Sequence, residues 1–155
     1  MKTHLITAVA ALLWSVSGAT LAQAMTANPA PSSQPADASA LYQALGEKSG
    51  ITQLMDDFVN RLVADPRIAD SFKNANLENL KRQLTEQICQ VAGGPCQYRG
   101  ADMASAHADM DIRKSHFNAL VEDLQRAMDA RSIPFSAQNQ LLARLAPMHR
   151  DIISK

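Results

Sequence analysis

An excess of charge of either sign is missing from this chain: 15 Lys and Arg balance 15 Asp and Glu, for a formal net charge of +0. That balance removes the electrostatic reason to expect nucleic acid or an anionic membrane surface as a partner. Cysteine occurs only as Cys89 and Cys96, and without a second pair no cysteine-based four-ligand zinc site can be assembled. Histidine is scarce too, at four residues. No stretch alternates apolar and polar residues with the two-residue period of a strand, so a sheet is not expected. Low-complexity blocks are missing, and 155 residues is the length of one domain with one ordinary hydrophobic core.

Residues 1–24 read as an export signal. Lys2 gives a positive start, Leu5–Val16 is an apolar run, and Leu21-Ala22-Gln23-Ala24 presents the small-x-small pattern that signal peptidase reads. The run is shorter than the ~20 apolar residues a membrane span needs. The expected location is therefore the periplasm, with secretion or anchoring by an uncleaved signal as alternatives, and with no stable membrane insertion after cleavage. His4 and the single tryptophan, Trp14, would leave with the signal. Residues 25–37, rich in proline and small polar residues, read as a flexible linker. The folded domain is expected over residues 38–155.

Within that domain the spacing is helical almost throughout. A short first helix is expected over Ala38–Leu45. Ile51, Leu54, Met55, Phe58, Val59, Leu62 and Val63 then fall on one helical stripe, which Asp65-Pro66 should end. Asn76 can cap a helix striped by Leu77, Leu80, Leu84, Ile88 and Val91, and Gly93-Gly94-Pro95 should stop it. Phe117, Leu120, Val121, Leu124, Ala127 and Met128 mark a long helix. Ser136 is expected to cap the last one, which carries Leu141, Leu142, Leu145 and Ile152 and which Pro147 should kink or shorten. The fold class is all-α. A plain four-helix bundle is the simplest such architecture, but Gly93–Asp111 is longer and more irregular than a bundle connection.

That irregular segment holds a histidine, His107, five residues after a helix-capping Asp102. Met103, Ala104 and Ala106 surround it with small or apolar side chains that would let a flat ring approach the backbone. A haem site needs one imidazole nitrogen on iron, the other donating outward, and apolar walls. His116 lies off its helix's main stripe and reads as solvated, whereas His149, between Leu145 and Ile152, sits near an apolar face and competes with His107. Cys89 and Cys96 have six residues between them. An oxidising compartment would permit a disulfide, and two reduced, partly buried thiols remain the other reading, because spacing does not show whether the Cβ atoms meet.

Several blocks resemble the group I truncated haemoglobins, in order and without gaps over about 115 residues from Leu41. They are LYQALG at 41–46, DDFVNRLVADPRIADSF at 56–72, LKRQL at 80–84, GGPCQYRGADMASAH at 93–107 and LAPMHRDI at 145–152. The resemblance implies a truncated globin fold, a two-over-two helical sandwich, with haem (iron protoporphyrin) as cofactor and His107 as the proximal iron ligand. It also implies that Phe72 wedges the haem and that Leu80 and Leu84 face the bound gas. Phe58, Ile88, Met103, Ile112 and Phe117 match pocket-wall positions. Tyr98 could pack over the haem edge or merely close its loop, and Lys81, Arg82 and Arg99 are possible partners for the haem propionates.

The chain departs from the family's pattern on the distal side. Where many members carry a tyrosine it has Val59, and Leu80 and Leu84 stand where a polar distal residue is common. A donor to a bound gas of partial negative charge would contribute roughly 1–3 kcal/mol, or one to two powers of ten in dissociation constant. Gln83 and Gln87 are the remaining polar candidates for the distal pocket. The family's first glycine pair reads Gly46-Glu47, which suggests an altered first corner. The resemblance thus implies a haem protein that reversibly binds oxygen, nitric oxide or carbon monoxide, served by an unknown reductant. Haem enzymes, such as a nitric oxide dioxygenase or peroxidase-like protein, are one alternative; a periplasmic haem carrier or a cofactor-free interaction module is another.

Overall fold

In the computed structural model the described residues are 35–154. The expected signal at 1–24 and most of the expected linker lie outside them. Seven α-helices follow one another: α1 (Pro35–Ala44), α2 (Glu47–Ala64), α3 (Leu77–Val91), α4 (Met103–Ala106), α5 (Lys114–Ala130), α6 (Phe135–Leu145) and α7 (His149–Ile152). Short 3-10 turns at Ala69–Phe72 and Ala146–Met148 punctuate them, and there is no strand among the described residues. Among the described residues α1 covers Pro35–Ala44 and so includes the helix expected from Ala38.

The stripes read from the sequence become the contacts that join the layers. Helix α2 buries Ile51, Leu54, Met55, Phe58, Val59 and Leu62 and packs chiefly on α3 and α5, while α3 also meets α6 and α1 bridges α2 and α6. Helices α2, α3, α5 and α6 form the two-over-two sandwich, with α3 and α5 both packed on α2 and α6 packed on α3. Burial of each large aliphatic side chain contributes on the order of 1.5–3 kcal/mol, and those that are fully buried include Leu41, Leu54, Leu62, Met128 and Leu141.

Helix ends follow local chemistry. Asn76 caps α3 by accepting a 3.0 Å hydrogen bond from the Asn79 N–H. At the other end Gly93, with φ +84°, reverses the chain in the left-handed region. Its N–H donates to Gln90 O, and that of Gly94 to Cys89 O, the paired closure a left-handed residue makes possible. Helix α6 departs from expectation: it begins at Phe135 after an extended Pro134, so Ser136 lies inside it and caps nothing. The Pro134 carbonyl itself accepts from Ala137 and Gln138. Buried Gln138 then ties the corner, donating to Asp129 Oδ1 and Ile133 O. Pro147 acts as expected, since α6 stops at Leu145 and continues as a 3-10 turn.

Two corners carry cost or charge. Glu47 takes the left-handed conformation, with φ +57°, beside Gly46, where a Cβ costs roughly 1–2 kcal/mol. At the end of α2, Asp65 is pushed down to about 2 by the Arg67 side chain that donates to it. Arg67 also bridges to Glu122 on α5 at 2.7 Å. Burial pushes the neighbouring Asp123 carboxyl up, and Asp65 acts in the same direction.

Candidate functional site

A cavity of about 580 Å³ opens between the helical layers, a volume within the roughly 300–1,000 Å³ of small-molecule pockets. All of α2, α3, α4, α5, α6 and α7, or the turns beside them, contribute to its wall. On α2 the contributors are Met55, Phe58 and Leu62, a single helical stripe. The 3-10 turn after α2 adds Phe72, α3 adds Leu80, Leu84 and Ile88, and α5 adds Phe117, Leu120 and Leu124. Every one of these side chains is apolar, so the wall favours a large flat hydrophobic ligand over water.

Its decisive polar group is His107, half-buried at the end of α4. Asp102 starts this short helix: its carboxylate accepts from the Ser105 N–H and from the Ser105 hydroxyl, each at 2.8 Å. Those bonds, the backbone one first, hold the Asp102 carboxyl below the usual carboxylate range. One turn later the His107 ring lies with Nδ1 2.8 Å from the Met103 carbonyl oxygen. A carbonyl only accepts, so Nδ1 must carry the proton. Nε2 is left as the lone-pair nitrogen, the atom a metal would take. The competitor, His149, is exposed and meets the edge of Phe117 at a 6.1 Å centroid separation, outside the cavity wall.

The distal candidates divide. Leu80 and Leu84 line the cavity, as do Gln83 and Gln87. The Gln87 amide nitrogen approaches Met103 Sδ at 3.5 Å and Met148 Sδ at 3.8 Å, both weak acceptors. Val59 is the exception. It is fully buried but does not reach the cavity wall. At about 100° per residue it points well around the helix from Phe58, on the flank of the stripe away from the cavity.

Tyr98 lines the cavity, and its hydroxyl closes the loop, as one of the two expectations had it, by donating to Ala101 O at 2.8 Å. The Tyr98 N–H donates to Gln90 Oε1, tying the loop back to α3. A covalent tie reinforces this one. Cys89 and Cys96 form a disulfide with Cα atoms 5.7 Å apart, which settles the open alternative. The three basic residues stay outside the cavity wall. Lys81 bridges to Asp56 at 2.5 Å, and that contact holds its ammonium group above its ordinary value. Arg82 donates to Asn79 and Arg99 to Gln97.

Several wall residues escaped the sequence reading. His116, expected to be solvated, is half-buried and lines the cavity from the first turn of α5. Met110 and Met148 do so from irregular or short elements, where no periodicity could have flagged them. A second, smaller hollow of about 410 Å³ lies at the Asp65–Asp123 corner. Its arginines are paired with local carboxylates, which marks a structural network.

Comparison with known proteins matches this architecture to a family. The model of the bacterial-like globins covers residues 40–154. The chain belongs to the bacterial-like globin family. A group 1 truncated haemoglobin of Tetrahymena pyriformis is 25% identical over 115 residues, covering 74% of this globin and 95% of that protein. Its ferric crystal structure superposes with a TM-score of 0.72 over 98% of that chain. The group 1 truncated haemoglobin of Mycolicibacterium paratuberculosis is 26% identical over 117 residues, 76% of this chain and 86% of that one. In fold alone, the 2/2 haemoglobin of a Synechococcus strain, solved with covalently attached haem, matches at 20% identity with a TM-score of 0.70, covering 74% of this chain and 98% of that one.

Haem is the cofactor this globin family implies, and the residues present fit it. The wall is apolar, and the tautomer imposed by Met103 O leaves one imidazole nitrogen ready for iron. Among the described residues no group of three or more His, Cys, Asp or Glu side chains is placed to hold a metal ion.

Proposed function

We propose that this globin holds haem through His107 Nε2 and reversibly binds a diatomic gas (oxygen, nitric oxide or carbon monoxide) on the opposite, α3 side. The observation that carries the reading is the 2.8 Å contact between His107 Nδ1 and Met103 O beside an apolar cavity. Haem supplies the iron on which the gas is held. The chain's own residues orient and enclose it. Asp102 fixes the turn, Met103 O fixes the tautomer, Phe72 and Phe117 close on the macrocycle, and Leu80 and Leu84 keep water from the gas side.

The few polar groups on α3 favour binding over oxygen chemistry. Dioxygenation and peroxidase-like reactions need strong donors aimed at charge developing on oxygen, and α3 offers only the amides of Gln83 and Gln87. Export to the periplasm is part of the same proposal, supported by the Cys89–Cys96 disulfide, since such bonds persist in oxidising compartments. Absorption spectra of the ferric, ferrous and carbonyl forms test the reading. A Soret band that shifts when carbon monoxide meets the ferrous protein is expected, and absence of any Soret band after haem addition overturns it. Mass spectrometry of the periplasmic fraction tests export: the expected product begins at Met25, and a full-length cytosolic chain rejects it.

A further inference from the structure

The haem reading leaves the propionates without partners, because the basic residues that the family resemblance pointed to are occupied elsewhere. Lys81 is bound to Asp56 and Glu78, Arg82 to Asn79 and Arg99 to Gln97, and none of them lines the cavity. Propionates sit where an apolar pocket meets water, so their partner should be a polar group that is part of the wall and half-exposed. Most polar wall groups are already committed. The Tyr98 hydroxyl is bound to Ala101 O, His107 Nδ1 to Met103 O, and the Gln87 amide to two thioethers.

His116 meets both conditions. It is the third residue of α5, half-buried, between exposed Ser115 and the wall residue Phe117. Its Nδ1 faces the Arg113 N–H at 3.5 Å, a long contact that assigns the acceptor role to that nitrogen. In the neutral ring the proton is then on Nε2, for which no acceptor is seen among the described residues. The exposed cations Arg113 and Lys114 precede it on the same corner and add positive potential there.

We infer that His116 anchors a haem propionate through Nε2–H, acting as a polar clasp in the half-exposed part of the cavity wall. This assignment rests on the haem reading above and adds a residue that sequence periodicity placed in solvent. A hydrogen bond to a charged acceptor at a half-exposed site corresponds to about a tenfold change in retention, the low end of charge-assisted bonds.

The test uses the whole protein reconstituted in parallel with haem and with haem dimethyl ester, whose carboxylates are capped. Transfer to an excess of a haem-scavenging apoprotein is followed by stopped-flow absorbance. In wild type the ester should leave about tenfold faster than haem. In His116→Phe haem should leave about tenfold faster than in wild type, and the ester no faster than haem. His116→Gln, which keeps a donor, should stay within about threefold of wild type. Equal acceleration of haem and ester by His116→Phe, or unchanged release of both, overturns the assignment while leaving the Soret band and the haem reading intact. A wild-type protein with no Soret band removes the haem reading and this clasp together.

Discussion

The two walls of the haem cavity are built in opposite ways. The distal wall is a regular helix, α3, whose contribution follows from helical spacing: Leu80, Leu84 and Ile88 lie on one stripe, with Gln83 and Gln87 on its edge. The proximal wall is the nearly helix-free run from Gly93 to Arg113, held by individual bonds. These are the Gly93–Gly94 closure, the Cys89–Cys96 disulfide, Tyr98 on Gln90 and Ala101, Asp102 on Ser105 and His107 on Met103. A regular helix supplies shape and can exchange apolar residues with modest cost. An irregular segment supplies chemistry, because only specific bonds keep an imidazole in one tautomer and one direction. On the proposed reading, the contrast explains how so apolar a gas side can face so closely specified an iron-binding side.

The largest way to break the contrast is to remove the proposed iron ligand. His107→Ala should lower haem retention by at least about 100-fold, since losing even an outer-shell partner of a metal ligand costs about 10–100-fold. Haem-transfer kinetics measure it. Making the distal wall more like its counterpart is the next largest change. Leu84→Gln adds a donor on the gas side and should slow oxygen release by about 10–100-fold, read by flash photolysis or stopped flow. Opening the proximal wall with Cys89→Ser and Cys96→Ser together should cost roughly 2.5 kcal/mol of stability on the chain-entropy account. Chemical denaturation under oxidising conditions checks it, and α3's own helical signal should change little.

The Asp102 cap gives a smaller, pH-dependent effect. Its carboxyl is held below its ordinary value by the Ser105 bonds. The stabilisation is therefore present above the ordinary carboxylate pKa and is lost as pH falls through the lowered folded-state value. Asp102→Asn keeps an acceptor for the Ser105 N–H and should flatten the acid limb of haem retention, while Asp102→Ala should weaken retention at every pH. Smallest is Glu47→Gly, away from both walls. Relief of the left-handed Cβ, offset by glycine's backbone entropy, should raise stability by about 0.5–1 kcal/mol in thermal melts.

Helix positions were legible because burial and period coincide. Phe58, Leu84, Ile88 and Phe117 were identified from spacing and family resemblance together, and each lies on the cavity. Val59 shows where such reasoning fails. Spacing placed it on the buried stripe, correctly, but a stripe is wide enough to face both core and cavity, and one residue of rotation decides between them. Ser136 failed for a different reason: Pro134, already extended, offered the helix start to its own carbonyl. His116 and Met148 belong to neither error. Nothing local marks a residue as cavity wall when the wall is assembled from several elements.

Composition and periodicity alone determined an all-helical domain, a broken segment around position 107 and the stops at Asp65, Gly93 and Pro147, because these depend on neighbours within a turn or two. Tertiary packing decided which imidazoles meet the cavity, which cations are engaged by Asp56, Asn79 and Gln97, and whether two cysteines meet. Those outcomes depend on distances between residues far apart in the chain, which local spacing does not encode.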